Sequence, residues 1–331
     1  MIKEIYIKII NYLNRQYSGN FEEDFNNIHI SEMDAYRNKS EQDEKNTIIN
    51  NINNKKKIFH TYWYGEIGRK QAFSIKSFLA TQDLEKCELW LWLDEKSGFS
   101  NYEKNEYLKP LLSLIKVKKY NPLINLKGSI FEKKMWIFDQ TKRLAYRGDG
   151  LRMWALSQFG GVWFDLDVMF LKDFSPLLKE HEFCYAWEYQ PYANNAILYI
   201  RKDSYINNYL QKKILRKKTT RPWILFNYND KNLKSLMIYP CFMFDPIWQD
   251  IVDGINDKNK PINDFKDFFR EFSGEFQKNV NINSYKDFFK ESFAYHWHNN
   301  WDADEYVNSY FGIFEKEFNC LLNIEGRDVE C

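Results

Sequence analysis

At 331 residues the chain is long enough to bury a sizeable core. Its 47 basic residues nearly cancel its 46 acidic ones, so no global field recruits nucleic acid or an anionic membrane, and a charged ligand must be held locally. Aromatic residues make up 18% of the chain, more than a core needs, and such side chains suit stacking on bases and sugar rings.

The first element expected is a helix, because Ile2, Ile5, Ile9, Tyr12 and Leu13 recur at helical spacing. A polar, Asn- and Glu-rich stretch follows, and residues 1–54 read as a helical N-terminal extension. Its polar face mixes Lys with Glu, which favours packing on the main domain over lying on a membrane surface. The N-terminus lacks the apolar stretch and cleavage site of a signal peptide. No run approaches the roughly 18 apolar residues of a membrane-spanning helix. The five cysteines, Cys87, Cys184, Cys241, Cys320 and Cys331, are widely spaced without a CxxC pair, which argues against a disulfide framework or a zinc ribbon. These features predict a cytoplasmic protein, at most peripheral to the inner face of a membrane.

From residue 55 to residue 331 the pattern is that of an α/β domain with a mostly parallel sheet flanked by helices. Strands are expected at 58–63, at "CELWLWLDE" (87–95) and at "LSLIKVKKY" (112–120). An amphipathic helix, "RKQAFSIKSFLATQ", joins the first two. Ligands of such sheets sit beyond the carboxyl ends of the strands, which brings Trp63 and Asp94 near a site.

The segment "YRGDGLRMWALSQFGG" predicts a short helix with Leu151, Trp154, Ala155 and Phe159 on its buried stripe and Gly160–Gly161 as terminator. Asp149 is placed as its N-cap, with Arg152 about one turn on. Next comes "GGVWFDLDVMF". In an extended strand Trp163, Asp165, Asp167 and Met169 share one face, so two carboxylates become neighbours in an apolar setting. Unpaired they would repel and lose hydration, which a cation between them resolves. Carboxylate oxygens suit Mn²⁺ or Mg²⁺, ions that also take substrate phosphates.

Farther along, "QKKILRKKTTRPW" (211–223) follows a helix and presents a solvated basic face, where an acidic acceptor or lipid phosphate could dock. "FKDFF" (265–269) and "YKDFF" (285–289) echo each other, but two copies make no repeat architecture. His296 and His298 alternate and so share a strand face, with a supporting role at a metal or diphosphate.

The order Asp-x-x-Arg (Asp149, Arg152), then Gly-Gly-Val-Trp-Phe-Asp-Leu-Asp (160–167), resembles the DXD sugar-binding region of retaining glycosyltransferases with the Rossmann-like GT-A fold. The resemblance is to family 32, including bacterial capsule and lipopolysaccharide transferases and the α-1,4-galactosyltransferase type. It extends more remotely to the glucosyltransferase domains of clostridial toxins, and along the chain from about residue 57 to residue 301. It implies that Trp63 stacks on the nucleotide base and that Asp149 and Arg152 hold the donor sugar. It implies metal and ribose roles for Asp165 and Asp167, and for "NNAILYI" (194–200), with Asn195, a place beside the sugar. "HWHNNW" (296–301) matches the segment that closes on the diphosphate, with His296 and His298 toward the metal and Trp301 toward the nucleotide. Gly150 departs from the family, which has an apolar residue there, and Trp297 separates histidines that are commonly adjacent.

The expected activity is metal-dependent transfer of a hexose or N-acetylhexosamine from a UDP-sugar to a glycan or glycolipid hydroxyl, with Mn²⁺ or Mg²⁺ as cofactor and a protein acceptor as the alternative. Two other classes compete. A phosphatase of the haloacid-dehalogenase type also carries a DxD strand, but needs a small β-branched residue where Met169 stands. A non-catalytic glycan-binding module accounts for the aromatics but not for paired carboxylates beside an arginine.

Overall fold

A computed structural model describes residues 56–139, 144–179, 181–187, 189–273 and 282–324. The expected N-terminal helix lies outside these residues. The chain divides between Lys57 and Ile58, and the unit that begins at Ile58 carries the fold described here.

Among the described residues nine strands form two sheets. The larger has the order β3 (Ile115–Tyr120), β2 (Cys87–Asp94), β1 (Lys57–Trp63), β4 (Gly161–Phe164), β7 (Ala193–Ile200), β6 (Phe183–Ala186), β8 (Met237–Tyr239). β2–β3, β1–β4 and β6–β8 pair in parallel; β7 runs against both its neighbours. The smaller sheet joins β5 (Val168–Phe170) to β9 (Ala294–His296) antiparallel. The helices are α1 (Arg69–Thr81), α2 (Pro122–Asn125), α3 (Leu144–Phe159), α4 (Tyr205–Lys217), α5 (Pro222–Leu225), α6 (Trp248–Asp253) and α7 (Tyr310–Leu321). The expected α/β class, mostly parallel sheet and first three strands are the ones the chain adopts. The basic stretch 211–223 begins within α4, which holds residues 211–217, and its remainder follows that helix and runs into α5.

Local chemistry sets the boundaries. Ser204 and Ser309 cap α4 and α7 by accepting from the N–H groups of Asn207 and Gly312. α3 ends at Gly160, which has φ +66°, and Gly161 follows at φ +103°. A Cβ at Gly160 would lie 2.4 Å from the Lys202 nitrogen, and one at Gly161 would lie 2.1 Å from the Ile58 carbonyl oxygen. The double glycine therefore both stops the helix and lets β4 enter the sheet against β1. His60, fully buried on β1, joins the same corner: one ring nitrogen lies 3.0 Å from the Gly160 carbonyl oxygen, and Nδ1 accepts from the Trp92 indole at 3.2 Å.

Two apolar cores result. One packs α3 and α4 on the large sheet, with Trp154, Trp163, Leu198 and Leu210. The other gathers Phe73, Met169, Phe268, Trp297, Phe311 and Phe314 beneath the small sheet and α7. The two KDFF echoes are short 3-10 turns whose Phe268 and Tyr285 feed this second core. Cys87, Cys184 and Cys241 are buried, and Cys320 is disulfide-bonded, a pairing not expected from the cysteine spacing.

Candidate functional site

The two aspartates do not lie on a strand. β4 ends at Phe164, Asp165–Asp167 form a turn in which the Val168 N–H donates to the Asp165 carbonyl, and β5 begins at Val168. Trp163 consequently packs in the first core and Met169 in the second, which corrects the expectation that they share a face with the carboxylates. The turn hands the chain from one sheet to the other. The Asp165 N–H donates to the Ala196 carbonyl on β7, and the Asp167 carbonyl accepts from the Trp297 N–H just after β9.

Asp149 is likewise not an N-cap. Helix α3 starts at Leu144, so Asp149 lies in its second turn. Gly148 and Gly150 mimic a helix start in the sequence, but Gly150 serves close packing: a Cβ there would sit 3.2 Å from Phe138. The predicted pair nevertheless forms. Arg152 lies 3.5 Å from Asp149 and donates to Asp165 at 2.6 Å, while the Trp163 indole donates to the same Asp165 oxygen at 2.7 Å. Burial pushes the Asp149 carboxyl up to about 7, against the opposing pull of Arg152.

On the other side of the turn, His296 Nε2 is 3.2 Å from Asp167, and its Nδ1 is 3.0 Å from the Tyr185 hydroxyl. Asp245, which the sequence did not single out, joins them. It follows β8 and the Cys241–Met243 turn, has a fully buried side chain, and binds His298 Nε2 at 2.5 Å. The rings of His296 and His298 stack 3.8 Å apart, so the two lie side by side as expected, although β9 ends at His296. His298 and Asn299 take φ of +47° and +56°. That strained turn aims the Asn299 N–H at Asp167, 2.9 Å away. Burial opposes ionisation of Asp167, but His296 and this N–H outweigh it and hold the carboxyl at about 2. The same pair acts in reverse on His296: burial lowers it, and Asp167 more than compensates, raising it to about 9.

Asp245, His296 and His298 offer ligand atoms within 4.8 Å of one another. One oxygen of Asp245 is buried without a hydrogen-bond partner among the described residues. An orphaned carboxylate oxygen beside two imidazoles and the Asp167 carboxylate is a donor set that fits a borderline-hard divalent ion such as Mn²⁺.

The remaining predicted residues divide. Trp63 and Trp301 meet edge to face at 4.9 Å, both partly exposed at one rim. Lys70 on α1 holds that rim by donating to the carbonyls of Asn300 and Trp301 at 2.9 Å each. Asn195 is buried on β7, next to the residue that pairs with Asp165, and its amide nitrogen has no partner among the described residues. Asp94 is fully buried; one oxygen accepts from Tyr62 at 2.8 Å and Arg147 at 2.5 Å, and the other from the Lys96 N–H. Both oxygens of that carboxylate are engaged by protein groups.

Residues 85–184 match the family described as glycosyltransferase sugar-binding region containing DXD motif, a span that includes Asp149, Arg152, Asp165 and Asp167 and covers under a third of the chain. No curated protein sequence matches significantly. Among solved structures, the PaToxG glycosyltransferase is 18% identical over 54% of this chain and 67% of its own, with a TM-score of 0.40. The galactosyltransferase LgtC, in complex with donor and acceptor sugar analogs, is 12% identical over 82% of this chain and 98% of its own, at 0.43. The glycosyltransferase GlyE of Streptococcus pneumoniae is 11% identical over 81% and 62%, at 0.44. Likeness at this level does not decide chemistry, which rests on the residues themselves.

Proposed function

We propose that the protein transfers a hexose or N-acetylhexosamine from a UDP-sugar to a hydroxyl of a glycan or glycolipid, with retention at the anomeric carbon and with Mn²⁺ or Mg²⁺ as cofactor. The observation that carries this reading is the convergence of Asp165, Asp167, Asp245, His296 and His298 beside the Asp149–Arg152 pair, within and adjoining the DXD segment.

A divalent ion held by Asp167, Asp245, His296 and His298, with Asp165 at its edge, would neutralise charge on the departing diphosphate. In the transfer the acceptor oxygen forms a bond to the anomeric carbon as the bond from that carbon to the β-phosphate oxygen breaks. The electron pair leaves with the diphosphate, and the acceptor proton passes to it. Arg152, anchored by Asp149 and Asp165, presents a planar fork to the sugar hydroxyls. Asn195, with an unused amide, donates to the same sugar. Trp63 stacks on the base while Trp301 closes against it and excludes water. Among the described residues no carboxylate is placed as an obvious nucleophile, so a same-face displacement is the working mechanism.

The test is a hydrolysis screen over UDP- and GDP-sugars with Mn²⁺, with and without EDTA. The reading requires slow metal-dependent release of UDP from at least one UDP-sugar. Release that EDTA does not touch, or none from any donor, would reject it.

A further inference from the structure

A row of aromatic side chains leaves the carboxylate and histidine cluster along the carboxyl-end rim of the large sheet. It starts at His298, whose ring stacks on Trp248 at 4.7 Å. Trp248 is followed by Trp187 at 5.6 Å and Tyr192 at 5.5 Å. Trp223 lies 6.5 Å farther on, with Tyr146 at 6.4 Å from it. The members come from separate elements: α6, the connection from β6 to β7, α5, and the first turn of α3.

Trp248 packs against the second apolar cluster, but Tyr146, Trp187, Tyr192 and Trp223 do not belong to either core, and Trp223 is 38% exposed. The Trp187 indole N–H is buried and has no hydrogen-bond partner among the described residues. Such a donor is costly to leave unmade unless something else satisfies it. At the far end the Arg221 guanidinium lies 4.6 Å over the Tyr146 ring and 5.2 Å over Trp223, and its charge reaches Asp149. The strip thus runs between the two ends of the proposed site. It offers partly exposed π-faces, one unused N–H and one cation.

That combination fits a particular chemistry. Pyranose rings present C–H faces that lie flat on aromatic rings while their equatorial hydroxyls seek donors and acceptors at the edges. A nucleobase would also stack, but Trp63 and Trp301 already offer that platform elsewhere on the rim. A hydrophobic peptide would leave the Trp187 N–H and Arg221 in contact with apolar groups.

We propose that the row Trp248, Trp187, Tyr192, Trp223 and Tyr146, with Arg221, is the acceptor subsite and takes an oligosaccharide of several sugar rings. This rests on the glycosyltransferase reading, and narrows its acceptor to a saccharide chain longer than a single sugar. The Trp187 N–H donates to a ring hydroxyl, Trp223 and Tyr192 carry sugar faces, and Arg221 engages a hydroxyl or an acidic group.

The experiment uses the full chain and a defined panel: glucose, lactose, cellotetraose, maltotetraose and a hyaluronan tetrasaccharide. Binding is read by saturation-transfer NMR and by the saccharide's effect on UDP release, with the thermal shift by UDP plus Mn²⁺ as an independent reading of the donor site. At least one tetrasaccharide is expected to bind more tightly than glucose. Trp223→Ala, at an exposed position, should weaken that binding about tenfold and leave the UDP shift of wild type intact. Trp187→Phe keeps the ring and removes only the N–H, and should weaken it severalfold. Tetrasaccharides that bind no better than glucose, or bind Trp223→Ala and Trp187→Phe as they bind wild type, would overturn the proposal. A missing UDP shift in wild type would instead reject the reading beneath it.

Discussion

Two buried charge clusters lie at the carboxyl ends of the strands, and they are built on opposite principles. Around Asp94 the charges balance, although Arg147 Nη2 and the Tyr120 hydroxyl have no hydrogen-bond partner among the described residues. Arg147 binds Asp94 and Asp139 at 2.5 Å each, Tyr62 fills a further acceptor position, and the guanidinium covers the Tyr120 ring at 5.2 Å. Around Asp165 and Asp167 the balance stays open. Asp149, Asp165, Asp167 and Asp245 share one arginine and two histidines, and Asp245 and Asn195 keep unused polar atoms. Orphaned atoms occur in both, so the charge decides: a balanced cluster braces the sheet, whereas a surplus of buried carboxylates calls for a cation.

The balanced cluster should break hardest. Arg147→Met leaves Asp94 buried without its counter-ion, and we expect a loss of about 3–5 kcal/mol in urea unfolding. Asp94→Leu with Arg147→Met should recover most of it, because the pair is then removed together. A single variant as stable as wild type would mean Asp94 is not a brace.

His60 gives the next effect and serves as a control on the balanced side. Burial lowers it to about 4, below its ordinary 6.5, and both ring nitrogens are engaged in the neutral form. The folded state therefore binds fewer protons there than the unfolded chain. The associated stability is fully present above pH 6.5 and is lost as pH falls towards 4, by about 3 kcal/mol. Unfolding curves at pH 7, 5 and 4 should show this slope, and His60→Gln should flatten it whatever its absolute stability. An unchanged slope in the variant would assign the acid sensitivity to other groups.

The open cluster should lose chemistry rather than fold. Arg152→Lys retains charge but not the fork that spans Asp149, Asp165 and a sugar, so turnover should drop roughly a hundredfold with UDP affinity nearly intact. Near-normal turnover would reduce Arg152 to a partner of Asp149. Smallest is Trp63→Ala, expected to weaken UDP by about 1–3 kcal/mol through lost base stacking in calorimetry. Unchanged affinity in a folded variant would make Trp63 a packing partner of Trp301 and nothing more.

The same contrast explains what could be read from sequence. Apolar periodicity and the double glycine locate β1 to β4, α1 and the end of α3, because burial and positive φ constrain those residue types locally. Asp165, Asp167, Asp149 and Arg152 are legible as a spaced motif. Their local setting is not: alternation within an apolar run resembles a strand, but the chain must cross between two sheets there, and only a turn permits it. Asp245 stands alone in "CFMFDPIW" and meets His298 only through the order of β8 and β9. The row from Trp248 to Tyr146 is equally silent, since four separate elements contribute to it. For Asp94 the strand-end rule identifies position and says nothing of the ion pair with Arg147.

The claim that the open cluster holds a metal and nucleotide is tested most directly by the rise in melting temperature that UDP plus Mn²⁺ produces, since a ligand bound only by the native state must stabilise it. Wild type should shift, EDTA should abolish the shift, and Asp167→Asn and Asp245→Asn should lose it while remaining folded. Asp165→Asn should retain part of it, because Asp165 is tied to Arg152 and Trp163 at the edge of the cluster. A wild-type shift that is indifferent to EDTA and unchanged in all three variants would mean that these carboxylates serve the fold alone.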